Sequence, residues 1–292
     1  RAAFEHSRDR SLCRVADESL EYQSDAAPAW KYLFRRRLDE GHLYRDDHSE
    51  GPEVVMDWTR SGIFSIQPRH DNTKLIWFKE RLNRVLCLQV DPRSMDAISD
   101  RETTFPDLTL RSFASWYRHL SQEYPDLQGP LFRRLSETLG NGFKSLRLER
   151  SGGDTRTLQA SFVTEGGNTA WYQFGELSDG QRAMVALYTL VTYLHEADSE
   201  GEGVTLCLDE PDNYMALAEL QPFIRELLEV VAEKNVQVLL ISHHPEFINY
   251  LAPSDAVWLD RPGGAQVRIG PLDFVDDGPI APAEMVARGW VK

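Results

Sequence analysis

VTLCLDEP, Val204 to Pro211, is an apolar run that stops on two carboxylates and a proline. VQVLLISHHP, Val236 to Pro245, follows the same plan and stops on Ser242, His243 and His244. Runs of this length and composition predict strands at 204–209 and 236–242. Their lack of polar alternation predicts burial on both faces, as in a parallel sheet covered by helices. Apolar spacing of three and four residues predicts helices at 179–196 and at about 215–233, on either side of the first strand. AVWLD (256–260) and QVRIG (266–270), joined by a Gly-Gly turn, read as the closing edge of the same sheet. The class expected is therefore α/β, a mostly parallel sheet flanked by helices.

Upstream, the pattern changes. Residues 14–60 read as strands or hairpins with long loops, and KLIWFKERLNRVLCLQV, from Lys74, as a helix giving way to a strand that ends before Asp91 and Pro92. Two helical patterns follow at 108–124 and 129–140, the second stopped by Gly140. KSLRLER and TLQASFV alternate around SGGD (151–154) as a hairpin, and NTAWYQF adds a third strand. Four segments result: a first lobe with hairpins and loops (1–100), a helical subdomain with antiparallel strands (101–175), the lobe of apolar strands (176–275) and a tail (276–292). In that tail, PAEMVARGWVK reads as a short docking helix.

The 292 residues are 41% hydrophobic and 27% charged, ordinary for a globular chain of one large or two modest domains. A net charge of −14 repels nucleic acid and anionic membranes except at a local basic patch. Cys13, Cys87 and Cys207 lack metal-ligand spacing, and Cys207 sits in an apolar run where a buried thiol behaves as a small hydrophobe. A cytoplasmic, reducing location is expected. No stretch approaches the roughly 20 apolar residues of a membrane span, so no membrane partner is expected. The opening RAAFEHSRDR has no start-like character and the nearest methionine is Met56, which leads us to expect residues ahead of Arg1.

Chemistry concentrates at three places. FGELSDGQ (174–181) puts Ser178, Asp179, Gly180 and Gln181 at the start of a long helix. Ser178 or Asp179 can be a plain cap, or the helix start can face a phosphate, where free N–H groups and about +0.5 of a charge favour an anion. Asp209 and Glu210 end a strand on its carboxyl side, where open α/β sheets bind ligands. They can hold Mg²⁺ and activate water, or be a polar strand end turned by Pro211. Asp212 adds a third carboxylate, a density that a cation would relieve. His243 ends the second strand and reaches Glu210 if the strands are neighbours; alone it would be structural or solvated.

LSDGQ, an apolar strand ending in DEP and an apolar strand ending in SHHP, in that order, resemble the signature, Walker B and switch-histidine motifs of ABC-type ATPases. The branch most resembled is the SMC/RecF-like one, with its bacterial DNA-repair and phage-defence ATPases. The resemblance covers roughly Phe174 to Asp260 and implies a P-loop NTPase-like ABC ATPase head with a helical subdomain and antiparallel hairpins. It implies ATP and Mg²⁺ as cofactors, with Asp209 holding Mg²⁺ through water, Glu210 as catalytic base and His243 as switch histidine. Ser178, Asp179, Gly180 and Gln181 would meet the γ-phosphate of ATP held by a partner subunit, and Asp212 to Met215 would lie in the loop crossing that interface. Asp179 replaces the more familiar glycine, a replacement that is common in the SMC/RecF-like branch but puts a negative side chain near phosphate. NYMALAEL after DEPD lacks the usual Leu-Asp or Leu-His pair, and His244 stands as an alternative to His243.

No G-x-x-x-x-G-K-S/T loop occurs in the 292 residues, and GNGFKS (140–145) has the wrong spacing. The expectation is that this loop lies ahead of Arg1 or comes from another chain, so that the 292 residues alone bind ATP poorly. Arg35, Arg36 and Arg37, and the series Arg133, Arg134, Lys144, Arg147 and Arg150, read as solvated faces, with a DNA stripe as the minority reading. The function expected is an ATP-binding and ATP-hydrolysing head. It assembles through ATP as a homodimer or higher homo-oligomer and drives a switch in DNA repair or anti-phage defence, with an effector nuclease or toxin as a candidate further partner. The rivals are an ATP-dependent scaffold or sensor with little turnover, and a metal-dependent nuclease built on Asp209, Glu210 and Asp212.

Overall fold

Alternation of side chains, interrupted by bulges, builds the first of two units, Arg1–Val85. The computed structural model describes residues 1–6, 13–24, 27–140, 142–196, 203–261, 264, 266–271 and 280–290. The loop ADSEGEG up to Glu202, half of the Gly-Gly turn and the start of the tail lie outside these. Strands β1 (Ala2–His6), β2 (Cys13–Ser24), β3 (Ala27–Arg37), β4 (Glu40–Tyr44) and β5 (Glu50–Val55) pair in sequence order as an antiparallel sheet. Phe34 and Leu43 turn inward and meet Met56, Ile63, Ile66 and Leu75, the last carried by helix α1 (Thr73–Leu82). The same alternation divides the three consecutive arginines. Arg35 and Arg37 are exposed, but Arg36 is 1% exposed, so the solvated-face reading fails for it. Its charge is matched by buried Glu18, 3.6 Å away, which also accepts the Gly62 N–H at 2.8 Å. A Cβ at Gly62 would sit 2.4 Å from Met56 Sδ and 2.9 Å from the Phe34 ring, so a side chain there would have to displace both.

The second unit spans Leu86–Lys292. It opens inside β6 (Val85–Gln89), one residue past the strand's start, and continues with a two-residue strand β7 (Ile98–Ser99), then α2 (Phe113–Glu123) and α3 (Gln128–Thr138). Helix α2 starts at Phe113, not at 108, because Leu110 adopts φ 58° and the Asp107 carboxylate takes the N–H groups of Arg111 and Ser112. Strands β8 (Phe143–Gly152), β9 (Thr155–Val163) and β10 (Thr169–Gln173) form an antiparallel sheet with β9 paired to both neighbours and to β7. Then come α4 (Asp179–Glu196), β11 (Val204–Asp209), α5 (Leu217–Glu233) and β12 (Val236–Ile241). Last are α6 (Pro245–Asp255), β13 (Val257–Asp260), β14 (Arg268–Pro271) and α7 (Pro282–Ala287).

Helix α4 is apolar nearly all round and buried from Ala183 to Thr192. Thr189 and Thr192 bury their hydroxyls by donating to the Val185 and Tyr188 carbonyls one turn back. Beside this core lies the sheet β12-β11-β6. β11 and β12 run parallel in register from Val204↔Val236 to Asp209↔Ile241, so both strands release their polar residues at one end.

Two expectations need correction. The apolar strands are not covered on both faces: Leu86, Leu88, Leu206 and Leu208 enter the core, while Leu239 and Ile241 are 52% and 58% exposed and Cys87 is exposed. An unbroken apolar sequence permits two-sided burial, but among the described residues only one face has helices against it. On the open face Cys207 is half-buried, with its thiol against that of Cys87, and not a core hydrophobe. Strands β13 and β14 do not close this sheet; they satisfy each other in a separate two-stranded ribbon whose Val257, Leu259 and Ile269 stay exposed.

Candidate active site

The parallel register decides what the strand ends can do. Asp209 stands level with Ile241, and the next residue, Glu210, donates its N–H to the Ile241 carbonyl at 2.8 Å. Glu210 is held at φ 44°, ψ 54°, a left-handed conformation that costs a non-glycine residue about 1 kcal/mol or more. That turn swings its carboxylate beside the second strand end. Glu210 Oε1 lies 2.9 Å from His243 Nδ1, and Oε2 accepts from Asn213 Nδ2 at 3.0 Å. The Asn213 bond, then the histidine, hold the Glu210 carboxyl below the usual carboxylate range, against a raising effect of desolvation. Glu210 is thus ionised at neutral pH, with an exposed imidazole as its neighbour.

His244 is engaged elsewhere: its Nδ1 accepts the Glu246 N–H at 3.1 Å and caps α6. Asp212 is 5% exposed and takes the Ser242 hydroxyl at 2.7 Å, tying the loop after β11 to the end of β12. Asp209 accepts from the carboxamide of Gln89 at 3.3 Å. The three carboxylates therefore turn to three different partners instead of converging. Among the described residues, the group close enough to share one ion is His195, Glu226 and Glu229, on α4 and α5.

At the start of α4, Ser178 Oγ accepts the Gln181 N–H at 3.2 Å while Gln181 Oε1 accepts the Ser178 N–H at 3.0 Å. This reciprocal box satisfies two otherwise orphaned donors and fixes the helix entry. Ser178 stays exposed. Gly180 is pressed against the loop after β11, since a Cβ there would lie 3.0 Å from the Tyr214 carbonyl oxygen. Asp179 is clamped between two guanidinium groups: Arg93 Nε donates to Oδ2 at 3.0 Å and Arg182 Nη2 to Oδ1 at 2.5 Å. The Arg93 bond first, then Arg182, hold its carboxyl below the ordinary range.

Sequence reasoning missed Gln89, Arg93 and Asn213. Gln89 ends β6 on the same side of the sheet as Asp209, and a search for polar residues at every strand end would have found it. Asn213 follows Glu210 by three residues, the reach of a tight turn. Arg93 carries no local signal. The expected basic series is also partly absorbed: Arg134 pairs with Glu226 at 2.7 Å, and Arg147 stacks on Trp171 and bonds Gln159.

Polar groups gathered outside the carboxyl ends of a parallel strand pair, beside a capped helix start, form the arrangement in which open α/β sheets bind ligands. The chain belongs to the family described as "AAA domain, putative AbiEii toxin, Type IV TA system", whose model matches residues 29–249. It is similar to the DNA repair protein RAD50 of Dictyostelium discoideum, 29% identical over 111 residues, which is 37% of this chain and 8% of that protein. Among solved structures, the Smc head domain with coiled coil and joint from Pyrococcus yayanosii overlays at a TM-score of 0.37. It is 15% identical, with 56% of this chain and 31% of that one covered. The SMC head domain from Thermotoga maritima overlays at 0.36, 14% identical, over 90% and 74% of the two chains. Among the described residues no helix is long and apolar enough to cross a membrane.

Proposed function

We propose that the chain is an ATP-binding and ATP-hydrolysing head that closes with a second copy around ATP and drives a conformational switch in DNA repair or anti-phage defence. The observation that carries this is the Glu210–His243 contact of 2.9 Å at the carboxyl end of two in-register parallel strands. An ionised carboxylate there can take a proton from an attacking water, a role worth about 10²–10⁴-fold in rate, and the imidazole can orient that water or donate to a phosphate oxygen.

Asp209 offers a carboxylate, a hard oxygen donor of the kind Mg²⁺ accepts, steadied by the N–H of the Gln89 carboxamide. Bound there, Mg²⁺ would neutralise phosphate charge. Ser178, Asp179, Gly180 and Gln181 form the surface offered to nucleotide held by the partner copy, with the α4 dipole and free N–H groups favouring an anion. The divergence of Asp209, Glu210 and Asp212 disfavours a nuclease centre on those three.

Glu210→Gln in the full-length protein tests this reading. Turnover should fall by about 10²-fold or more while an ATP-bound dimer accumulates. Unchanged turnover would sink Glu210 as the base, and an ATP-bound dimer without measurable turnover in the unmodified protein would favour a scaffold or sensor.

A further inference from the structure

Asp179 poses a problem for any anion arriving at the start of α4, because it places a carboxylate beside the donors meant to receive it. The structure answers with two guanidinium groups, and they are not equivalent. Arg182 lies on the same helix, its side chain is 13% exposed, and its ion pair alone offsets the Asp179 charge. Arg93 comes from the loop after β6, and its side chain is 75% exposed. Its guanidinium is held through Nε, and its two terminal nitrogens make no hydrogen bond among the described residues. Its backbone N–H is fixed to Asp91 Oδ1 at 3.2 Å, which steadies the loop without occupying the head group.

A planar fork steadied at one nitrogen, with its remaining donors open to solvent, matches the oxygens of a terminal phosphate. We infer that Arg93 is a further phosphate-binding residue, which contacts the γ-phosphate of ATP held by the partner copy beside Ser178 and Gly180, and that Asp179 is the positioning residue that aims it. This rests on the reading of the signature surface given above. It also accounts for an aspartate where glycine is more familiar.

The test uses the full-length protein and ATP as the probe, with light scattering for assembly and calorimetry for nucleotide binding to the undimerised protomer. Arg93→Ala, a change at an exposed side chain, should raise the ATP concentration needed for dimerisation by roughly tenfold or more, since charge-assisted bidentate bonds are the strong ones. Arg93→Lys should recover part of the loss, because a point charge replaces the fork. Asp179→Asn should cost less than Arg93→Ala, and ATP binding to the single protomer should be unchanged in all three. Dimerisation of Arg93→Ala at the wild-type ATP concentration would overturn the inference, as would weakened ATP binding by its single protomer. Failure of the underlying reading looks different: the unmodified protein would then not dimerise on ATP at all.

Discussion

The two faces of the β12-β11-β6 sheet differ more than their sequences do. On one, Leu86, Leu88, Leu206 and Leu208 are at most 7% exposed and join the core built on α4 and α5. On the other, Cys87, Cys207, Leu239 and Ile241 continue the same apolar run yet lie open or half-open. The polar strand ends follow the open face, since Gln89 and Asp209 occupy alternate positions from the buried leucines. The packed face joins the sheet to the core, and the open face carries the groups proposed to meet a ligand.

That difference can be broken by substitution. Leu208→Ala removes a side chain that is 1% exposed and should cost about 2–5 kcal/mol of unfolding free energy in a denaturant titration. Ile241→Thr keeps a β-branched residue on the open face and should cost under about 1 kcal/mol. A loss at Ile241 as large as that at Leu208 would mean that this face is covered in the folded protein.

A smaller effect sharpens the account at the strand ends. The Asn213 and His243 contacts lower the Glu210 carboxyl, so the base is ionised above its folded value and lost as pH falls through it. Asn213→Ala removes the first of those contacts and should move the acid limb of the turnover profile to higher pH. An unmoved or lowered limb would show that another group sets it.

Much of this was legible from residue order alone. β11 is read at 204–209 and α4 at 179–196 because an unbroken apolar run and a capped apolar helix are local signals. The Glu210–His243 contact was also within reach, since it needs only neighbouring parallel strands. Other contacts were not. Gln89 meets Asp209 across 120 residues and Arg93 meets Asp179 across 86, separations over which periodicity carries no information. The open face was hidden for a different reason: a run of apolar residues records what a strand tolerates, and only the packing of helices decides which side is filled. Arg36 shows the reverse case, a charge that composition assigns to the surface and that Glu18 draws inside.

The central claim is that the signature surface of one copy completes the nucleotide site of the other. Mixing two defective full-length proteins tests it, one with Ser178→Arg and one with Glu210→Gln, each inactive alone. If the site is shared, mixed dimers hold one intact combination of Ser178 and Glu210. An equal mixture should then regain about a quarter of wild-type turnover, as half the dimers are mixed and each has one sound site of two. If both residues serve the same nucleotide within one copy, every site in the mixture keeps a defect, and a mixture as inactive as its components would contradict the account.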